Sequence, residues 1–87
     1  MAPNRAEVVE RIRAHLSEEL GIEASTIEEE SRFKEDLEAD SLDLVELVVE
    51  LEDGYGIRMA EDQAEKIKTV GQAVDFVLAQ VSVNPTA

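Results

Sequence analysis

Ser41 is the side chain whose setting points most directly to covalent chemistry. It lies in Glu35-Asp36-Leu37-Glu38-Ala39-Asp40-Ser41-Leu42-Asp43-Leu44-Val45-Glu46-Leu47, where a hydroxyl falls among carboxylates at the start of an apolar helical pattern. No base accompanies it: the chain has one histidine, His15, and no cysteine. A hydrolase built on Ser41 would need a histidine–carboxylate partner and a Gly-x-Ser-x-Gly turn, and the sequence offers neither convincingly. A serine after an N-cap aspartate is most often only a helix-start residue. A hydroxyl displayed there without its own activating group also suits a target that another protein modifies.

The acidic residues around Ser41 suggest how such a protein finds it. Asp43, Glu46, Glu50 and Asp53 recur at helical spacing and so share one stripe. No lysine or arginine lies between Glu35 and Asp53, whereas exposed helices usually mix signs. This one-sidedness favours a docking surface for basic patches on partner proteins, with Asp40 at its upper end. The net charge of −13 argues against nucleic acid or anionic membrane as a partner. An EF-hand loop starting at Asp36 would need glycine and glutamate where the chain has Ser41 and Leu47, so no metal site is assigned.

Hydrophobic residues make up 44% of the 87 residues and aromatics only 3%, which predicts one small domain with an aliphatic core. The absence of cysteine excludes a disulfide framework. No signal-peptide pattern or membrane-spanning apolar run is evident. These features suit a monomeric cytoplasmic protein.

The elements that must position Ser41 read as three good helices and a short one. Asn4 caps the first, with Glu7 at the capping-box position; Val8, Ile12, Leu16 and Leu20 form its apolar face and Gly21 ends it. Residues 22–39 form a long connection anchored by Ile22, Ile27, Phe33 and Leu37. The second helix starts at Asp40 as N-cap, with Asp43 in its first turn, and ends at Gly54 and Gly56. Its apolar arc, from Leu42 to Leu51, is wider than one helix–helix contact needs. A short helix over 61–66 is expected to bury Ala64 and Ile67. The last helix begins at Thr69, with Gln72 at the capping-box position and an apolar face from Val70 to Val81. Residues from about 82 to 87 read as a flexible tail. The expected architecture is all-α, a small four-helix bundle with a short third helix and a long first loop.

The run Phe33-Lys34-Glu35-Asp36-Leu37-Glu38-Ala39-Asp40-Ser41-Leu42-Asp43, continued by Val45-Glu46-Leu47 and Leu51-Glu52, resembles the prosthetic-group segment of acyl carrier proteins. Ala64-Glu65-Lys66-Ile67 followed by Thr69-Val70 is similar to that family's third helix and the start of its fourth. The likeness covers roughly residues 5–80 and is strongest to the free-standing bacterial type of fatty-acid synthesis. It implies that Ser41 carries 4′-phosphopantetheine, placed there by a phosphopantetheinyl transferase. It also implies that the arm holds acyl groups as thioesters for fatty-acid synthesis enzymes, and that the chain is not itself an enzyme. The missing cysteine agrees, because a thioester carrier without its own thiol needs a sulfur from a cofactor. The resemblance further implies that some of Phe33, Leu47, Leu51, Met59, Ala64 and Ile67, core residues by default, line an acyl cavity.

Two positions depart from the family pattern. Glu38 stands where glycine is common, so either the loop takes another path or the position never needed glycine. Ala60 stands where proline often precedes the third helix, loosening its start. The alternatives to a fatty-acid carrier are a carrier of a polyketide or other specialised acyl pathway and an acidic adaptor acting by charge alone. The adaptor would tolerate loss of the Ser41 hydroxyl.

Overall fold

Local capping chemistry sets the helix boundaries. The computed structural model describes residues 3–83. Helix α1 spans Arg5–Leu20; Asn4 Oδ1 accepts from the Glu7 N–H at 2.8 Å, and Gly21, in the left-handed region, closes the C-terminus. Helix α2 spans Ser41–Tyr55, α3 spans Glu61–Lys66 and α4 spans Val70–Val83. At the start of α4, Thr69 Oγ1 accepts from the Gln72 N–H at 3.1 Å, while Gln72 Oε1 accepts from the N–H groups of Lys68 and Thr69. This is the reciprocal box that the Thr69–Gln72 spacing predicts.

Helix α1 packs on both α2 and α4, and α2 meets α4. Val8, Ile12 and Leu16 face Leu47 and Leu51 of α2 and Val70, Ala73, Val74 and Val77 of α4 in one continuous core. The 22–39 connection closes it: Ile27 and Phe33 are buried, and Ile22 and Leu37 pack at its margin. Its backbone is pinned to α1 by Arg13 Nε on the Ile27 carbonyl and Ser17 Oγ on the Ile22 carbonyl. A short 3-10 turn at Ala24–Thr26 absorbs part of its length. At its far end, Phe33 N–H donates to Lys68 O, Val70 N–H to Ser31 O and Gly71 N–H to Glu29 O, so the loop is tied to the start of α4.

The structure departs from the sequence expectation in three places. Gly54 does not end α2; it lies within the last turn, and the helix closes at Gly56, whose φ of 64° supplies the left-handed cap. The short helix has the expected span, but Ala64 and Ile67 are only half-buried and no α3 residue is fully buried. Six residues form too few turns to present a continuous apolar face. At the other end, α4 continues through Val83, while the expected tail over 84–87 lies outside the described residues.

Candidate functional site

Ser41 is the first residue of α2, exposed beside a fully formed cap. Asp40 Oδ1 accepts from the Asp43 N–H at 2.9 Å, and Asp43 Oδ2 accepts from the Asp40 N–H at 3.1 Å. The two carboxylates therefore serve the helix start. Among the described residues, the Ser41 hydroxyl has no hydrogen-bond partner, and the N–H groups of Ser41 and Leu42 have no acceptor. Free first-turn N–H groups and the helix dipole favour an anion at this place. A phosphodiester on Ser41 Oγ thus fits the chain, with the repulsion of Asp40 and Asp43 offset by those donors.

The loop that delivers Ser41 is held by its own backbone. Asp36 and Leu37 N–H groups donate to the Arg32 carbonyl, and Ala39 N–H donates to the Phe33 carbonyl at 2.8 Å. The Arg32 guanidinium forks onto Asp36 through two 3.1 Å bonds, which holds the Asp36 carboxyl below its ordinary range. Phe33 and Ala39 are buried, so the loop is fixed on both sides of the turn. Within that turn Glu38 has φ 56°, the one non-glycine residue in the left-handed region among the described residues. Neither sequence alternative holds: the loop adopts the backbone angle that glycine would favour, and a glutamate bears the steric cost.

The acidic stripe runs along the seam between α1 and α2. Asp43 and Glu46 approach Glu19 of α1, the carboxylate oxygens of the three lying within 4.8 Å of one another. The Glu19 carboxyl is held above its ordinary range, first by a hydrogen bond with Glu46, then by burial and by the charges of Glu46 and Asp43. Glu50 is paired with Arg11 of α1 at 2.7 Å. Asp53 and Glu46 are exposed, as is Asp40. A cation therefore reaches the stripe from α1, although residues 35–53 contain none. His15, half-buried on α1, leaves its buried Nε2 without a partner among the described residues.

One feature of α2 went unassigned in the sequence. Leu42, Val45 and Val49 are 65%, 56% and 48% exposed, an apolar strip beginning beside Ser41. The signal was the overly wide apolar arc, whose excess the fold leaves uncovered. Of the expected cavity residues, Phe33, Leu47 and Leu51 belong to the core and Ile67 packs against it. Met59 is buried, with its N–H bound to Glu52 Oε2 at 2.8 Å, and Ala64 is half-buried.

This geometry, a helical bundle presenting an unengaged serine at a helix start, agrees with comparison to known proteins. The family model for the phosphopantetheine attachment site matches residues 10–77. The class is thus a carrier domain whose cofactor is 4′-phosphopantetheine. The chain belongs to the acyl carrier protein family, whose members are carriers and not enzymes. It is 47% identical over 75 residues to a curated acyl carrier protein of Rubrobacter xylanophilus, covering 86% of this chain and 93% of that one. Among solved structures it resembles the acyl carrier protein of Enterococcus faecalis, with TM-score 0.77 and 38% identity, covering 90% of this chain and 99% of the other. That of Thermotoga maritima superposes with TM-score 0.80 at 30% identity, covering 91% and 92%. Among the described residues no helix is long and apolar enough to cross a membrane.

Proposed function

We propose that Ser41 is the attachment point of the 4′-phosphopantetheine arm and that the chain delivers growing fatty acyl groups to the enzymes of fatty-acid synthesis. The observation that carries this reading is the exposed, unpartnered Ser41 hydroxyl with the free N–H groups of residues 41 and 42 beside it. The transferase must supply the base, because the chain places none at Ser41. In the transfer, Ser41 Oγ forms a bond to the pantetheine-bearing phosphorus of the coenzyme A diphosphate. The bond to the departing adenosine 3′,5′-bisphosphate breaks, and the serine proton leaves to the transferase. The bound arm would contribute the terminal thiol that forms thioesters. Asp40 and Asp43 keep the helix start rigid. The exposed acids Glu46 and Asp53 meet lysine and arginine on partner enzymes, while Leu42, Val45 and Val49 offer the apolar contact that charge alone lacks. Phe33, Leu47, Leu51, Met59, Ala64 and Ile67 mark the interior where an acyl chain is sheltered.

The test is intact mass after incubation with coenzyme A, magnesium and a broad-specificity transferase. Wild type should gain one phosphopantetheine, and Ser41→Ala should gain none while remaining helical; labelling of the alanine variant would overturn the assignment. Glu46→Lys should slow transfer in a salt-sensitive way without unfolding the bundle.

A further inference from the structure

Arg11 sits in a cradle that no part of the carrier chemistry requires. Its Nη1 bonds Glu50 Oε2 at 2.7 Å across the α1–α2 seam. Its guanidinium carbon lies 5.1 Å from the centroid of the Tyr55 ring, in cation–π range. Beneath it is Gly54, where a Cβ would collide with Nη1. A carboxylate, an aromatic face and a missing side chain thus converge on one guanidinium. The carboxylate it occupies belongs to the acidic stripe, and the pair is partly exposed, with Arg11 42% and Glu50 39% accessible. A partner's cation can therefore reach Glu50 only in competition with Arg11.

We propose that Arg11 is an intramolecular counter-ion that masks Glu50 and so determines which acids of α2 a basic partner uses. With Arg11 in place, docking falls on Glu46 and Asp53, and partners whose cations are set to meet Glu50 are disfavoured. Arg11 acts through Glu50 and touches neither the serine nor its cofactor, so it is a positioning residue. The inference rests on the docking reading of the acidic stripe.

The test is the kinetics of Ser41 modification by a purified phosphopantetheinyl transferase at low ionic strength. Arg11→Gln unmasks Glu50 and should lower the KM for this protein about two- to fivefold, the size of an exposed ion pair, with kcat unchanged. Removing any cation also raises the net negative charge, so Lys66→Gln, at an exposed position outside any ion pair among the described residues, sets the long-range baseline. Gly54→Ala supplies a charge-neutral version: its methyl displaces the guanidinium while improving helix propensity, and it should also lower KM. In a Glu50→Gln background the Arg11→Gln effect should shrink to the Lys66→Gln baseline. A KM that stays at that baseline in Arg11→Gln and at the wild-type value in Gly54→Ala, or a gain that persists without Glu50, overturns the proposal. Failure of wild type to be modified at Ser41 would instead overturn the carrier assignment, so the two failures are distinguishable.

Discussion

Replacing Glu38 with glycine should stabilise this protein. Glu38 holds φ 56° three residues before Ser41, and its exposed side chain makes no hydrogen bond among the described residues. The left-handed angle costs an L-residue about 1–2 kcal/mol. Glycine removes that cost but returns about 0.5–1 kcal/mol through its greater freedom in the unfolded chain. The net gain is about 1 kcal/mol, which in a domain of this size raises the thermal midpoint by about 4–8 °C. The substitution also deletes one negative charge from a chain carrying −13, so charge relief must be separated from backbone relief. Glu38→Ala does this: it removes the charge and keeps the Cβ that clashes. Calorimetric melts of the glycine, asparagine and alanine variants should rank glycine above asparagine above alanine, with alanine within about 0.5 kcal/mol of wild type. Equal gains for alanine and glycine would place the effect in electrostatics. No gain for glycine would mean that the left-handed angle costs no more than glycine returns in chain entropy, about 0.5–1 kcal/mol.

Ala60→Ser should stabilise by about 1 kcal/mol: residue 60 has the extended angles of an N-cap and already donates its N–H to Gln63 Oε1 at 3.0 Å, so a hydroxyl completes the box. A melt unchanged by the serine would show that the start of α3 does not limit stability. Glu19 binds its proton more tightly folded than unfolded, so stability should grow as pH falls from neutral through its raised value. Asp36 works in the opposite sense, its contribution being full above the ordinary aspartate value of about 4 and lost as pH falls below it. Denaturant midpoints should therefore pass through a maximum on the acid side of neutral, and Glu19→Gln, which imitates the protonated partner of Glu46, should flatten the rise. Sodium chloride should raise the thermal midpoint at neutral pH by screening a surface of one dominant sign. A midpoint that fell with salt would mean that ion pairs such as Arg11–Glu50 outweigh the repulsion.

What the sequence disclosed follows the range of the interactions involved. Asn4, Gly21, Asp40, Asp43, Thr69 and Gln72 act within four residues of themselves, and their patterns marked helix starts and stops that the structure keeps. The family resemblance added what no local rule could, the expectation that a cofactor is carried and that Ser41 is where to look for it. Interactions across the fold left no comparable trace. Nothing around residue 54 announces that Arg11 fills the space above it, so a glycine that reads as a helix stop continues the helix. Nothing around Glu50 says that its cation comes from α1. At Glu38 the family's glycine marked the position but not the outcome, because the torsion is imposed by Phe33, Ala39 and the backbone bonds around them and goes against the residue's own preference. Leu42, Val45 and Val49 were visible as apolar residues, but only the packed bundle shows which part of a wide arc has no neighbour.

The backbone ties between residues 29–33 and 68–71 bear on the order in which this molecule assembles. Each joins segments on opposite sides of α2 and α3, so forming it closes a long loop and loses much chain entropy before any bond is gained. Helices α1, α2 and α4 must first draw together to make that closure inexpensive, which puts the ties late in folding. Interactions made late need not wait for global unfolding to open. Phe33, Val70 and Gly71 amides should then exchange with solvent as a group, and more readily than the central amides of α1. The turn that presents Ser41 would loosen in the same event, making the serine's surroundings a separate cooperative unit on an otherwise intact bundle.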